Sequence, residues 1–95
     1  MSVYAILEIQ VKDEAMYSQY KEKAPEIIKK YGGRYLVRGG NVIPVSGGWN
    51  PERIVILEFG DMDHLQKFAQ SKEYGEIVPI REQSTVSKVI IVEGY

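Results

Sequence analysis

Apolar and polar positions set a two-residue rhythm at the start of the chain. Val3, Ala5, Leu7, Ile9 and Val11 would share one face of a β-strand, and that face is wholly apolar. The period then changes. Asp13 is a natural N-cap with Glu14 in the first turn, and Met16, Tyr20, Ala24, Ile27, Ile28 and Tyr31 form a stripe near helical spacing. Lys29 and Lys30 suit a helix C-terminus and Gly32 the position after it. The pattern predicts a helix over about 13–31, kinked or split at Pro25, because proline has no N–H and crowds the preceding turn.

A strand is expected from Gly33 to Val37, and Asn41 to Ser46 is expected to continue the sheet after the Gly39-Gly40 turn. Ser46 to Pro51 reads as a loop from its glycine, asparagine and proline content. Glu52 to Phe59, rich in isoleucine and valine, predicts the third strand. Asp61 caps a short helix that turns Met62, Leu65, Phe68 and Ala69 inward. Ser71 caps another helical piece from Lys72 to about Gln83, interrupted by Gly75 and Pro79. Val86 to Glu93 is the last strand. The order is strand, helix, strand, strand, helix, strand over one domain, residues 1–95. That is an α+β, ferredoxin-like βαββαβ pattern, with a four-stranded antiparallel sheet whose helices cover one face and whose first and third strands are central.

The other face of that sheet is greasy. It carries Tyr4, Ile6, Glu8 and Gln10 from the first strand and Ile54, Ile56 and Glu58 from the third, and the last strand is apolar on both sides (Val89 and Ile91, Ile90 and Val92). A solvent-facing antiparallel sheet would alternate with polar residues. Left bare, these side chains would make a patch on the order of several hundred Å2, unusual for a monomer. Six aliphatic side chains at about 1.5–3 kcal/mol each outweigh an association cost of about 4–15 kcal/mol, so a homodimer packed sheet to sheet is expected. The alternative is a monomer whose C-terminal tail crosses the sheet. Glu8 and Glu58 have matching parity near the ends of the two central strands, read as parallel. As neighbours they could work as an acid and base pair with shifted pKa values. Arg34 and Arg38 on the next strand offer the simpler reading of interface ion pairs. The candidate dimer interface is therefore Tyr4, Ile6, Glu8, Arg34, Arg38, Ile54, Ile56 and Glu58.

Composition removes several function classes. Twelve basic and thirteen acidic side chains give a net charge of −1 with no basic stripe, against nucleic-acid binding. No apolar run is long enough to cross a bilayer, and Met1-Ser2-Val3-Tyr4 does not resemble a secretory leader, so no membrane partner and a cytoplasmic location are expected. The chain has no cysteine, hence no disulfide, thiolate metal site or cysteine nucleophile. His64, the only histidine, stands beside Asp61 and Asp63 at a helix start. A capped, exposed terminus is the simpler account of it, and no metal site is expected. Gly39-Gly40 and Gly47-Gly48 lack the lysine and helix of a phosphate loop, and no dinucleotide or Ser–His–Asp pattern occurs; no cofactor is expected.

Several blocks taken together carry a family resemblance. Gly32 to Gly40 (GGRYLVRGG), Trp49-Asn50-Pro51-Glu52-Arg53, Glu58-Phe59, Ser71-Lys72-Glu73-Tyr74 and Arg81 resemble the family known as domain of unknown function 1330, over essentially the whole chain. The resemblance implies the dimeric α+β barrel superfamily. Its members include cofactor-independent monooxygenases, muconolactone-type isomerases and ligand-sensing modules, so the fold does not choose among them. Two departures stand out. Phe68-Ala69-Gln70 replaces an aromatic pair, and Ser46-Gly47-Gly48 stands where a glutamate is usual before the tryptophan loop.

By parity Arg53 shares the helix-facing side with Val55, Leu57 and Phe59, where its charge needs an acid or a bound anion. Ser71, Tyr74 and Arg81 come from the helical segment expected over that side. One reading gathers Trp49, Arg53, Ser71, Tyr74 and Arg81 into a pocket for a small anionic or aromatic compound: the arginines hold the anion, Trp49 and Tyr74 stack, and Ser71 donates a hydrogen bond. On this reading the protein binds a small molecule, as a cofactor-free enzyme or without catalysis. The other pairs Arg53 with Glu73 or Glu76, leaves Ser71 as a cap and Tyr74 in the core, and makes the chain a binding or interaction module.

Overall fold

The computed structural model describes residues 1–95. Strand β1 is Val3–Val11, helix α1 Glu14–Lys30, β2 Arg34–Arg38, β3 Arg53–Phe59, α2 Met62–Ala69, α3 Lys72–Ser84 and β4 Thr85–Glu93. The sheet order is β2-β3-β1-β4 and every neighbouring pair is antiparallel. This is the ferredoxin-like α+β arrangement, a two-layer slab with extents of 35 × 34 × 17 Å. Val3, Ala5, Leu7 and Ile9 of β1 and Val55, Leu57 and Phe59 of β3 are buried beneath the helices. They meet Tyr17, Tyr20, Ala24 and Ile28 of α1, Leu65 and Phe68 of α2, and Tyr74 and Ile77 of α3.

The three helix starts follow from their caps. The side chains of Asp13, Asp61 and Ser71 accept the backbone N–H three residues on, at 3.0, 2.9 and 3.1 Å. Neither proline breaks its helix: α1 runs on through Pro25 and α3 through Gly75 and Pro79, so the split and the interruption expected from sequence do not occur. Pro25 has no N–H to give the Lys21 carbonyl one turn earlier, and Arg38 Nη2 from β2 donates to that oxygen instead, at 2.6 Å. In α3, burial of Tyr74 and Ile77 offsets the poor propensity of Gly75 and Pro79.

Two further expectations are corrected. Residues 41–46 form no strand. Gly39, Gly47 and Gly48 all adopt positive φ, and Pro44 has no donor for a ladder, so residues 39–52 run as an irregular arm between β2 and β3. The central strands are antiparallel rather than parallel, because β3 returns from β2, which runs in the direction of β1. Tyr4 therefore faces Glu58 while Glu8 faces Ile54, and the two glutamates lie at opposite ends of the pair.

Gly33 fits where no other residue would. A Cβ there would stand 2.5 Å from the Phe59 ring, which is fully buried, whereas one at Gly40 would meet nothing within 4 Å. Gly33→Ala should lower stability by about 1–3 kcal/mol in urea unfolding, and Gly40→Ala should change it little.

Candidate functional site

A cavity of about 200 Å3 opens between the helix-facing side of the sheet and helices α2 and α3. Its walls are almost entirely apolar: Leu57, Phe59, Phe68 and Tyr74 line one part, and Val89 and Ile91 of β4 line another. Arg81 alone brings charge to it. Nε and Nη1 of Arg81 are buried and have no hydrogen-bond partner. Buried guanidinium donors are costly to leave unpaired, and these two are the only buried side-chain nitrogens or oxygens without a hydrogen-bond partner. Helix α3 holds the residue in place. The Arg81 carbonyl accepts from Thr85 Oγ1 at 2.7 Å, and Ser84, also buried, donates to the Ile80 carbonyl at 2.6 Å.

Tyr74 reaches the same cavity, and its hydroxyl lies 2.8 Å from that of Tyr20. Burial, and then the neighbouring Tyr74 hydroxyl, push the Tyr20 phenol far above its ordinary range, against a smaller pull from Arg81. Tyr20 therefore stays neutral and acts only as a hydrogen-bond partner. Phe68 packs 4.2 Å from the Tyr74 ring and 5.2 Å from that of Phe59. These aromatic side chains form one wall.

Arg53 lies on the helix-facing side but not in this cavity. Its guanidinium packs 5.5 Å from the Tyr17 ring centre, and Nε donates to the Tyr17 hydroxyl at 3.2 Å. It makes no ion pair with Glu73 or Glu76, which corrects that reading. Glu73 instead bonds Lys30 and accepts from the Tyr31 hydroxyl at 3.0 Å, tying α1 to α3. Ser71 Oγ is fully engaged as a cap, accepting from the Tyr74 N–H and donating to the Phe68 carbonyl at 2.8 Å. Its hydroxyl is spoken for by the backbone.

Trp49, Glu8, Glu58 and Arg34 occupy the bare face. Trp49 is not beside Arg53, as the pocket reading placed it. The arm carries it across the sheet, where its Nε1 donates to Glu8 at 2.5 Å. Glu8 thus pairs with an indole, and Glu58 pairs with Arg34 at 2.6 Å, which holds its carboxyl below the ordinary range. Arg38 is corrected as well. An irregularity between Tyr35 and Val37 shifts the register so that Arg38 faces Val55, turning it to the helix side over the Tyr35 ring at 4.9 Å. His64 Nδ1 stands 2.7 Å from the Asp61 carboxylate, itself held down by the His64 backbone N–H. Sequence reading missed Tyr17 and Tyr20 as the support of Arg53 and Tyr74. The i, i+3, i+7, i+11 spacing of Tyr17, Tyr20, Ala24 and Ile28 is the signal that held them.

Set beside known proteins, the chain matches one family model, described as domain of unknown function (DUF1330), over residues 2–95. No curated protein matches it. Among solved structures it is similar to RPA0582 of Rhodopseudomonas palustris, a protein of unknown function, at 14% identity and TM-score 0.79, covering 99% of this chain and 82% of that one. It is also similar to SnoaB of Streptomyces nogalater, a cofactor-independent oxygenase, at 8% identity and TM-score 0.72, covering 99% and 93%. A de novo designed protein, Foldit4, shares the fold at 14% identity and TM-score 0.63, with both chains covered completely. Likeness at these identities concerns the fold, which a designed protein also attains.

The Lys30 bond holds the Glu73 carboxyl at about 2, against an ordinary 4.5. Whatever stability the pair contributes is complete above the ordinary carboxylate pKa and is lost as pH falls toward 2. A carboxyl-carbon NMR titration should place the Glu73 midpoint near 2, and Lys30→Ala should move it back toward 4.5.

Proposed function

We propose, on the premise that the chain belongs to the domain of unknown function 1330 family, that it is a homodimeric small-molecule-binding protein. Its ligand has an apolar or aromatic body and one anionic group, seated against Arg81. The observation that carries this reading is the pair of buried, partnerless nitrogens of Arg81 beside an otherwise apolar cavity. A carboxylate or enolate oxygen there would accept charge-assisted hydrogen bonds. The size limits the body. A cavity of about 150 Å3 holds benzene, so about 200 Å3 suits a one-ring compound or a short branched acid.

Turnover is a second reading, favoured by the Tyr20–Tyr74 hydroxyl pair beside the guanidinium. Arg81 would stabilise an enolate, and the Tyr74 hydroxyl would hold a proton next to it. A cofactor-independent oxygenase on the same fold makes such chemistry a sensible first assay. The cavity offers no carboxylate, histidine or lysine as a base, so binding is the primary reading.

Self-association rests on the uncovered sheet face. Ile90 and Val92 of β4 are 59% and 43% exposed and continue the row of Tyr4, Ile6, Ile54 and Ile56. The C-terminal tail does not cover this face, since β4 runs on to Glu93 and Gly94 bonds the Ser2 carbonyl. A second copy would bury it.

Arg81→Met should leave the ligand-free protein as stable or more stable, because it removes uncompensated buried donors. The same change should abolish the thermal stabilisation that saturating benzoate gives the parent, about 2.7 kcal/mol at a hundred times Kd. An arginine that merely supported the core would behave oppositely, with stability falling and no ligand effect to lose. Sedimentation should give a mass near twice 10.8 kDa, and Ile6→Lys should reduce it to about 10.8 kDa.

A further inference from the structure

Where α1 meets the end of β2 and the start of β3, a second cleft of about 620 Å3 is lined by Ser18, Lys21, Glu22, Pro25, Arg38 and Arg53, none of them apolar except the proline ring. Three cations and one carboxylate line it. None of the three cations forms an ion pair; the chain's ion pairs are all made elsewhere, by Lys30, Arg34, His64 and Lys67.

Each cation is nevertheless held. Arg53 lies over the Tyr17 ring with its Nε on the Tyr17 hydroxyl. Lys21 Nζ lies 5.6 Å from the centre of that same ring. Arg38 lies over Tyr35 and gives Nη2 to the Lys21 carbonyl, the oxygen that Pro25 leaves without a helical partner. The β2–β3 connection makes room for Arg53 as well. Gly39 turns at φ +70, and a Cβ there would stand 1.9 Å from Arg53 Nη1. A guanidinium carries five N–H donors, so both arginines keep donors free beyond those already used.

Three cations that share a cleft with a single carboxylate, Glu22, and form no ion pair leave an excess of positive charge, which an anion would offset. We propose that this cleft is an oxyanion site for phosphate-class dianions, distinct from the Arg81 cavity. Doubly charged tetrahedral oxyanions fit better than carboxylates, because the open, polar lining buries no apolar body and attraction then grows with the ligand's charge. Planar guanidiniums present several donors to phosphate oxygens, and Ser18 can add a hydroxyl. Inorganic phosphate and the phosphate group of a small ester share this chemistry.

The test is an NMR titration of the 95-residue chain with inorganic phosphate and, separately, with phenyl phosphate, against sodium chloride at matched ionic strength. Saturable shifts of the Ser18, Lys21 and Gly39 amides are expected with both phosphates and not with chloride. A tighter response to phenyl phosphate would identify an ester as the ligand, and equal responses the oxyanion alone. Arg53→Gln should weaken binding by about tenfold or more, and Arg81→Met should leave it unchanged, which separates this site from the apolar cavity. Arg38→Gln also strips the Lys21 carbonyl of its partner, so Arg53→Gln and the parent protein's own shifts decide the matter if it folds poorly. Absence of phosphate-specific shifts at these amides, or an unaltered affinity in Arg53→Gln, would overturn the proposal.

Discussion

All three helices lie on one side of one sheet, and most features of this molecule descend from that constraint. Each crossover leaves a strand and returns to the sheet with the same hand, so α1, α2 and α3 pack on the face presented by Val3, Ala5, Leu7 and Ile9. The interior is thus a single seam between two layers, and anything the protein encloses must be enclosed there. The opposite face receives only the irregular arm, which touches it through Trp49 and Glu8.

Within the seam, tyrosine and arginine do work that aliphatic residues could not. Tyr17, Tyr20 and Tyr74 fill the space between α1, α3 and the sheet while keeping hydroxyls available to one another and to Arg53. Their rings give guanidiniums a surface to lie on without a carboxylate. The result is positive charge placed at two ends of one aromatic layer: Arg53 and Arg38 toward open solvent, Arg81 toward an apolar cavity. Net charge over the chain is only −1, so this polarity is a matter of placement rather than composition.

Pro25 and Arg38 show how local and distant choices are joined. The proline alone would leave a helical carbonyl without a donor, and the strand irregularity alone would merely turn one side chain over. Together they put Arg38 Nη2 on the Lys21 oxygen, so the helix continues unbroken through Pro25 and the arginine gains a fixed position.

The element order, the helix caps and the face assignments of β1 and β3 were legible in the sequence, because each depends on residues a few positions apart: alternation at period two, an acid or serine before a turn, a stripe at three and four. The family was legible too, since its blocks span the chain. The composition of the site was not. Arg53, Ser71, Tyr74, Arg81 and Trp49 were all visible as polar or aromatic residues near one end of the sheet. Only the packed structure separates an arginine with a tyrosine partner from one with none, a serine consumed by its own helix, and a tryptophan carried to the far face. The register shift in β2 and the course of the 39–52 arm depend on contacts between residues tens of positions apart, and a linear pattern holds no record of those.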